Sequence, residues 1–92
     1  MNLVRDIFAP IKKIVGADNL STTAVSKAIN GDSITVIAVS GNVWINPLGT
    51  AVADATSIGL TTGTQLNLVV SGSLSLISDS SGASYRIIHW GV

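Results

Sequence analysis

The chain is predicted to be mainly β: a small antiparallel sandwich or barrel of five to six short strands, preceded by an amphipathic helical arm. Three observations predict this. From residue 33 onward, apolar side chains recur with the period of two that belongs to strands. Turn signals rich in Gly, Ser, Asn and Asp interrupt that pattern roughly every 8–12 residues, the spacing of short antiparallel strands. The first fifteen residues instead place apolar side chains at steps of three and four. The chain is accordingly divided into an arm and connector, residues 1–32, and a sandwich domain, residues 33–92.

In the arm, Leu3, Val4, Ile7, Phe8, Ile11, Ile14 and Val15 share one helical stripe, and Arg5, Asp6, Lys12 and Lys13 fall off it. Pro10 removes one helical hydrogen bond, so it predicts a kink or the first position of a helix, and Gly16 predicts the stop. Such a stripe requires cover, from its own domain, from a sister helix or from a groove on another protein. A membrane surface is a weaker option, since only Lys12 and Lys13 flank the apolar face. Residues 18–32 are polar and turn-rich and read as a connector, with Val25, Ala28 and Ile29 able to form one helical turn. Asn19-Leu20-Ser21 matches the N-glycosylation pattern, but the chain start lacks the layout of a secretory signal peptide.

The strands follow in order. Ile34, Val36 and Ala38 alternate with Thr35, Ile37 and Val39. Ser40-Gly41-Asn42 offers a tight turn and Val43-Trp44-Ile45 runs back, which predicts a hairpin. Asn46-Pro47-Leu48-Gly49 closes it, because Pro47 cannot donate to a ladder. A connector over residues 50–56 leads to a short strand at 57–60. After the Thr61-Thr62-Gly63-Thr64 turn, Leu66, Leu68 and Val70 point one way while Gln65, Asn67 and Val69 point the other. Ser71-Gly72-Ser73 turns again, Leu74 and Leu76 alternate with serines, and Asp79-Ser80-Ser81-Gly82 turns once more. The last strand sets Tyr85, Ile87 and His89 on one face and Arg86, Ile88 and Trp90 on the other.

Composition bounds the function. Only 11 % of the 92 residues are charged, against roughly a quarter in an ordinary soluble domain, and after Asp32 the ionised side chains are Asp54, Asp79 and Arg86. A chain of this size buries only about 60–65 % of its unfolded surface. It contains no Cys, which leaves oligomerisation as the common remaining staple. Zero net charge and scattered Lys and Arg predict no nucleic-acid partner. No stretch of about 20 uninterrupted apolar residues predicts a membrane span.

The inventory for chemistry is thin. There is one His, no Glu and no Cys. The Asp residues are scattered, and no Gly-x-Ser-x-Gly elbow or phosphate-binding loop is present. Neither a catalytic residue nor a metal or cofactor site is predicted, and the protein is expected not to be an enzyme. His89 is expected to be a strand residue satisfied by a backbone group or water. An inter-subunit hydrogen bond that weakens on protonation is the sharper alternative. Trp44, Tyr85 and Trp90 are expected to fill the core, although an exposed aromatic could anchor a subunit contact or stack on a sugar. The residues predicted at a protein interface are Leu3, Val4, Ile7, Phe8, Ile11, Ile14, Trp44 and Trp90.

The order Gly-Asn-Val-Trp-Ile-Asn-Pro, Ala-Asp-Ala-Thr-Ser, Leu-Thr-Thr-Gly-Thr-Gln-Leu-Asn-Leu, Leu-Ser-Leu-Ile-Ser-Asp-Ser-Ser-Gly-Ala and Ile-Ile-His-Trp, from Gly41 to Trp90, resembles small virion proteins of tailed bacteriophages, of the head decoration, cement or head-fibre type. The resemblance spans a little over half of the chain and brings no catalytic or binding residues with it. It implies a non-enzymatic β-sandwich, assembled in the host cytoplasm, that sits on the virion as a symmetric homo-oligomer. Its expected partners are other copies of itself and the major capsid protein or another virion protein. A trimer is favoured, since it would match local three-fold positions of a capsid. The alternative reading is a carbohydrate- or receptor-binding module that uses exposed aromatics.

Overall fold

The computed structural model describes residues 10–91. The elements are β1 (Ile11–Leu20), β2 (Val25–Ala28), β3 (Ser33–Ser40), β4 (Val43–Asn46), β5 (Ile58–Leu60), β6 (Gln65–Val69), β7 (Ser73–Ile77) and β8 (Ala83–Trp90). They form two four-stranded sheets with orders β1-β8-β3-β6 and β2-β7-β4-β5, and every paired neighbour is antiparallel. The pairs β1/β8, β2/β7, β3/β6 and β4/β5 nest inside one another, the plan of a jelly roll in which one long hairpin is rolled into a sandwich.

The predicted arm is corrected from Ile11 onward. Residues 11–20 form a strand, not a helix, and Leu3, Val4, Ile7 and Phe8 lie outside the described residues. Alternation from Ile14 to Ala17 explains the outcome. Ile14 pairs with Ile88 and faces outward, whereas Val15 and Ala17 turn inward and pack on the core. On a helix, Ile14 and Val15 would have shared a stripe. Ile11, Ile14 and Val15 are β-branched and suit a pleated surface. A register shift between Ile11 and Lys13 leaves Lys12 as an extra residue, a bulge that bends the edge strand. Gly16 is not a helix stop: it lies where β1 crosses β8, and a Cβ there would collide with the Tyr85 carbonyl oxygen and the Arg86 side chain. The predicted connector is likewise structured, because β2 is an edge strand of the second sheet.

The predicted hairpin over residues 33–45 is also corrected. β3 belongs to one sheet and β4 to the other, so Ser40-Gly41-Asn42 is a corner between layers. Gly41 makes the corner possible. Its φ of 80° is costly for an L side chain, and an added Cβ would lie 3.0 Å from the Cβ of Ala83. The alternations themselves survive in the structure. Ile34, Val36, Ala38, Val43, Ile45, Leu74, Leu76, Tyr85 and Ile87 are all buried between the sheets.

The two ends of the sandwich are tied by different means. At one end Ser78, itself buried, donates from its backbone N–H to the Ser21 carbonyl at 2.9 Å and from Oγ to the Asn42 carbonyl at 2.7 Å. At the other, the Ile29, Asn30 and Gly31 amides donate to the Gly72 and Val70 carbonyls.

Two substitutions test the strand register. Val15→Ala is expected to cost about 1–2 kcal/mol, whereas Ile14→Ala, outward and 57 % exposed, should change stability by no more than about 0.5 kcal/mol in the monomer; denaturant unfolding at low protein concentration measures both. Gly16→Ala should cost about 1–3 kcal/mol by forcing β1 away from β8, read by the same measurement.

Candidate surface site and the His89, Asp32 and Lys12 cluster

β8 alternates without a break, with Ala83, Tyr85, Ile87 and His89 buried and Ser84, Arg86, Ile88 and Trp90 half-buried on the outer face. Its position between β1 and β3 makes that outer face the middle of a broad sheet surface. The rows across it follow from the register. Asn67, Thr35, Ile88 and Ile14 form one row, and Val69, Ser33, Trp90 and Ile11 form the next. The β6 side of this surface is a groove of about 730 Å³ whose lining includes Thr35, Gln65, Asn67, Val69, Ile88 and Trp90.

A hydrogen-bond relay organises the groove. Trp90 Nε1 donates to Thr35 Oγ1 at 2.8 Å, and Thr35 Oγ1 donates to Asn67 Oδ1 at 2.6 Å. Indole N–H is donor only, so the Thr35 oxygen accepts from it and must spend its own hydrogen on Asn67. This fixes which end of the Asn67 amide faces inward. Thr35 points outward from its strand yet is only 6 % exposed, because Trp90, one pair along the ladder, reaches across it.

The predicted interface residues separate in space. Ile11, Ile14 and Trp90 share the outer face of the first sheet, and Ile11 is the register partner of Trp90. Trp44 lies on the second sheet, opposite Gly59 and Ile77, where an added Cβ on Gly59 would stand 3.0 Å from Trp44 Nε1. Neither tryptophan fills the core; of the three aromatics weighed for that role, Tyr85 does. The missed residues are Thr35, Asn67 and Gln65. Their outward parity was readable, but only the pairing of β3 with β6 and β8 brings them beside Trp90.

His89 has a partner that its sequence neighbourhood did not suggest. Its Nδ1 lies 2.9 Å from Asp32 Oδ2, and Lys12 Nζ lies 3.0 Å from Asp32 Oδ1. An ionised carboxylate only accepts, so Nδ1 carries the hydrogen of that bond. The bonds from His89 and Lys12 hold the Asp32 carboxyl below its ordinary range. Asp18 is lowered by its bond to Arg86, whose Nη1 lies 3.0 Å away, and Asp54 by bonds from the Thr56 hydroxyl and amide. Burial pushes the Tyr85 phenol up. Among the described residues no three His, Cys, Asp or Glu side chains gather as a metal site would require, and the core cluster between the sheets is hydrocarbon.

No protein-family model matches the chain, and no curated protein matches it. Solved structures do. A cupin-2 domain containing protein from Shewanella frigidimarina aligns with a TM-score of 0.56 at 14 % identity, over 86 % of this chain and 68 % of that one. A protein from Neisseria meningitidis aligns with a TM-score of 0.55 at 15 % identity, over 99 % and 98 %. A cupin superfamily protein from Desulfitobacterium hafniense aligns with a TM-score of 0.53 at 13 % identity, over 97 % and 88 %. The shared property is the fold, a cupin-like β-sandwich.

The depressed carboxylates give stability a defined pH dependence. A folded value below the unfolded one, about 3.9 for Asp, contributes stability that is complete above that value and is lost as pH falls through the folded value. Thermal unfolding of the wild type between about pH 5 and 2 should therefore show a falling midpoint. Asp32→Asn should lower the midpoint at neutral pH and flatten the acid limb.

Proposed function

We propose that this protein is a non-enzymatic structural virion protein that decorates or cements a bacteriophage head as a symmetric oligomer, with a trimer favoured. One observation carries the reading. β1 is an edge strand that turns Ile11 and Ile14 outward at 51 % and 57 % exposure, in direct continuation of Leu3, Val4, Ile7 and Phe8 in the sequence. An edge strand with a row of exposed isoleucines is an association hazard for a monomer unless a neighbour covers it. The attachment element in this reading is the chain start together with the outer face of β1, and its partner is a second copy or the major capsid protein.

Two further features support a structural role. The core between the sheets is built from hydrocarbon side chains such as Val36, Ile45, Leu76 and Ile87, which carry no group for acid, base or nucleophilic chemistry. Ionised groups are few, and four of the eight Asp, Lys and Arg side chains among the described residues pair with one another, Lys12 with Asp32 and Arg86 with Asp18, so the surface offers little that would repel a closely packed copy.

Light scattering at two protein concentrations tests the proposal. The wild type should show an oligomer mass and co-sediment with phage heads. Ile11→Ser/Ile14→Ser, and separately deletion of residues 1–9, should reduce the mass or abolish co-sedimentation with little change in melting temperature. A wild type that is monomeric at both concentrations and does not bind heads overturns it.

A further inference from the structure

We propose that the groove on the β6 side of the first sheet binds a neutral carbohydrate, with the Trp90 ring as its platform and the Asn67 and Gln65 amides as its hydrogen-bonding groups. This goes beyond the assembly role and uses a different part of the sheet, since Ile11 and Ile14 lie at the β1 edge and Gln65, Asn67 and Val69 at the opposite one.

Size, charge and hydrogen bonding each narrow the ligand. The groove, about 730 Å³, falls within the roughly 300–1,000 Å³ typical of small-ligand sites. Its lining of Ser, Thr, Asn, Gln, Gly, Ile, Leu, Val and Trp contains no ionisable side chain. That disfavours phosphate-bearing or acidic ligands, which would be desolvated there without a counter-charge. A purely apolar occupant fits no better, because it would cover the exposed Asn67 and Gln65 amides and leave their donors unpaired. What remains is a neutral molecule with both an apolar face and many hydroxyls, which describes a pyranose.

The relay prepares the groove for such a ligand. The indole N–H of Trp90 is committed to Thr35, so the ring presents carbon surface to the groove, suited to the C–H face of a sugar. Asn67 accepts from Thr35 through Oδ1, which leaves both hydrogens of its Nδ2 for ligand oxygens. Gln65, two residues along on the same face of β6, adds a second amide. Because the relay holds Trp90, Thr35 and Asn67 across three adjacent strands, the platform and its donor are set before the ligand arrives, which lowers the ordering cost of binding.

The test is an NMR titration of the ¹⁵N-labelled full-length protein with neutral hexose and N-acetylhexosamine oligosaccharides at millimolar concentration, with a sulfated polysaccharide and an unrelated extended peptide as comparators. The expected result is saturable movement of the Asn67 side-chain amide and Trp90 indole signals with at least one neutral oligosaccharide. Trp90→Ala should abolish it. Asn67→Asp keeps an acceptor for Thr35 while removing the donor, and it should weaken binding about tenfold or more. Gln65→Ala leaves the relay intact and should weaken binding severalfold, so the two β6 variants carry the test should Trp90→Ala fail to fold. The proposal is overturned if no neutral oligosaccharide moves these signals saturably, if affinity is unchanged in both β6 variants, or if only the polysaccharide or the peptide binds.

Discussion

Antiparallel pairing of β8 with β1 on one side and β3 on the other holds the first sheet together, and the uninterrupted alternation of β8 distributes roles to its two faces. Tyr85 and Ile87 turn inward and supply the centre of the core; His89 turns inward near the end and meets Asp32. Arg86, Ile88 and Trp90 turn outward and supply the ion pair, the apolar floor and the aromatic wall of the outer surface. A one-residue slip would exchange these sets, burying Arg86 and exposing Tyr85. The inward set prevents it, because an uncompensated guanidinium between the sheets would cost far more than any outward rearrangement could return.

The nested pairing of strands explains how so small a chain closes a core without cysteines. Six of the seven connections between consecutive strands change sheet, with β4 to β5 as the exception, so each corner ties the two layers together. Covalent staples are replaced by corners fixed by backbone hydrogen bonds, such as those gathered at Ser78 and at Gly72. The His89, Asp32 and Lys12 cluster does the same near the chain termini, joining β8, the turn before β3 and the bulge in β1. That closure is polar, and it rests on the Asp32 carboxylate that His89 and Lys12 hold below its ordinary range.

The larger of two clefts among the described residues lies on the outer surface of the first sheet. The outer face of the first sheet is divided between an isoleucine strip at the β1 edge and a neutral groove at the β6 edge, with Ile88 and Trp90 between them. The strip suits a protein neighbour because it offers hydrocarbon alone. The groove mixes one aromatic with amides and hydroxyls and so asks for a ligand that can answer both. In the proposed role the two would serve different ends, one for attachment and one for recognition.

By itself the sequence determined the β character of the chain from residue 33 onward, the parity of β3, β6, β7 and β8 and the position of most turns, because a period of two in side-chain polarity is a local property. Tyr85, Ile87 and His89 share a face for that reason alone. The scarcity of charge, and the lack of a pattern of acids, bases or thiols, were equally local. Only the tertiary structure decided which strand pairs with which. Ser40-Gly41-Asn42 fits a hairpin turn and a corner between sheets equally well, and the choice depends on partners as distant as β6, β7 and β8. The same holds for residues 11–15, where apolar spacing satisfied a helical stripe. An available edge on β8 made the strand the better solution, since it buried Val15 and Ala17 and satisfied the backbone in one step. The groove and the His89 pair belong to this second class. Thr35 is 55 residues from Trp90 and 32 from Asn67, and no local pattern encodes a meeting that depends on the order of strands in a sheet.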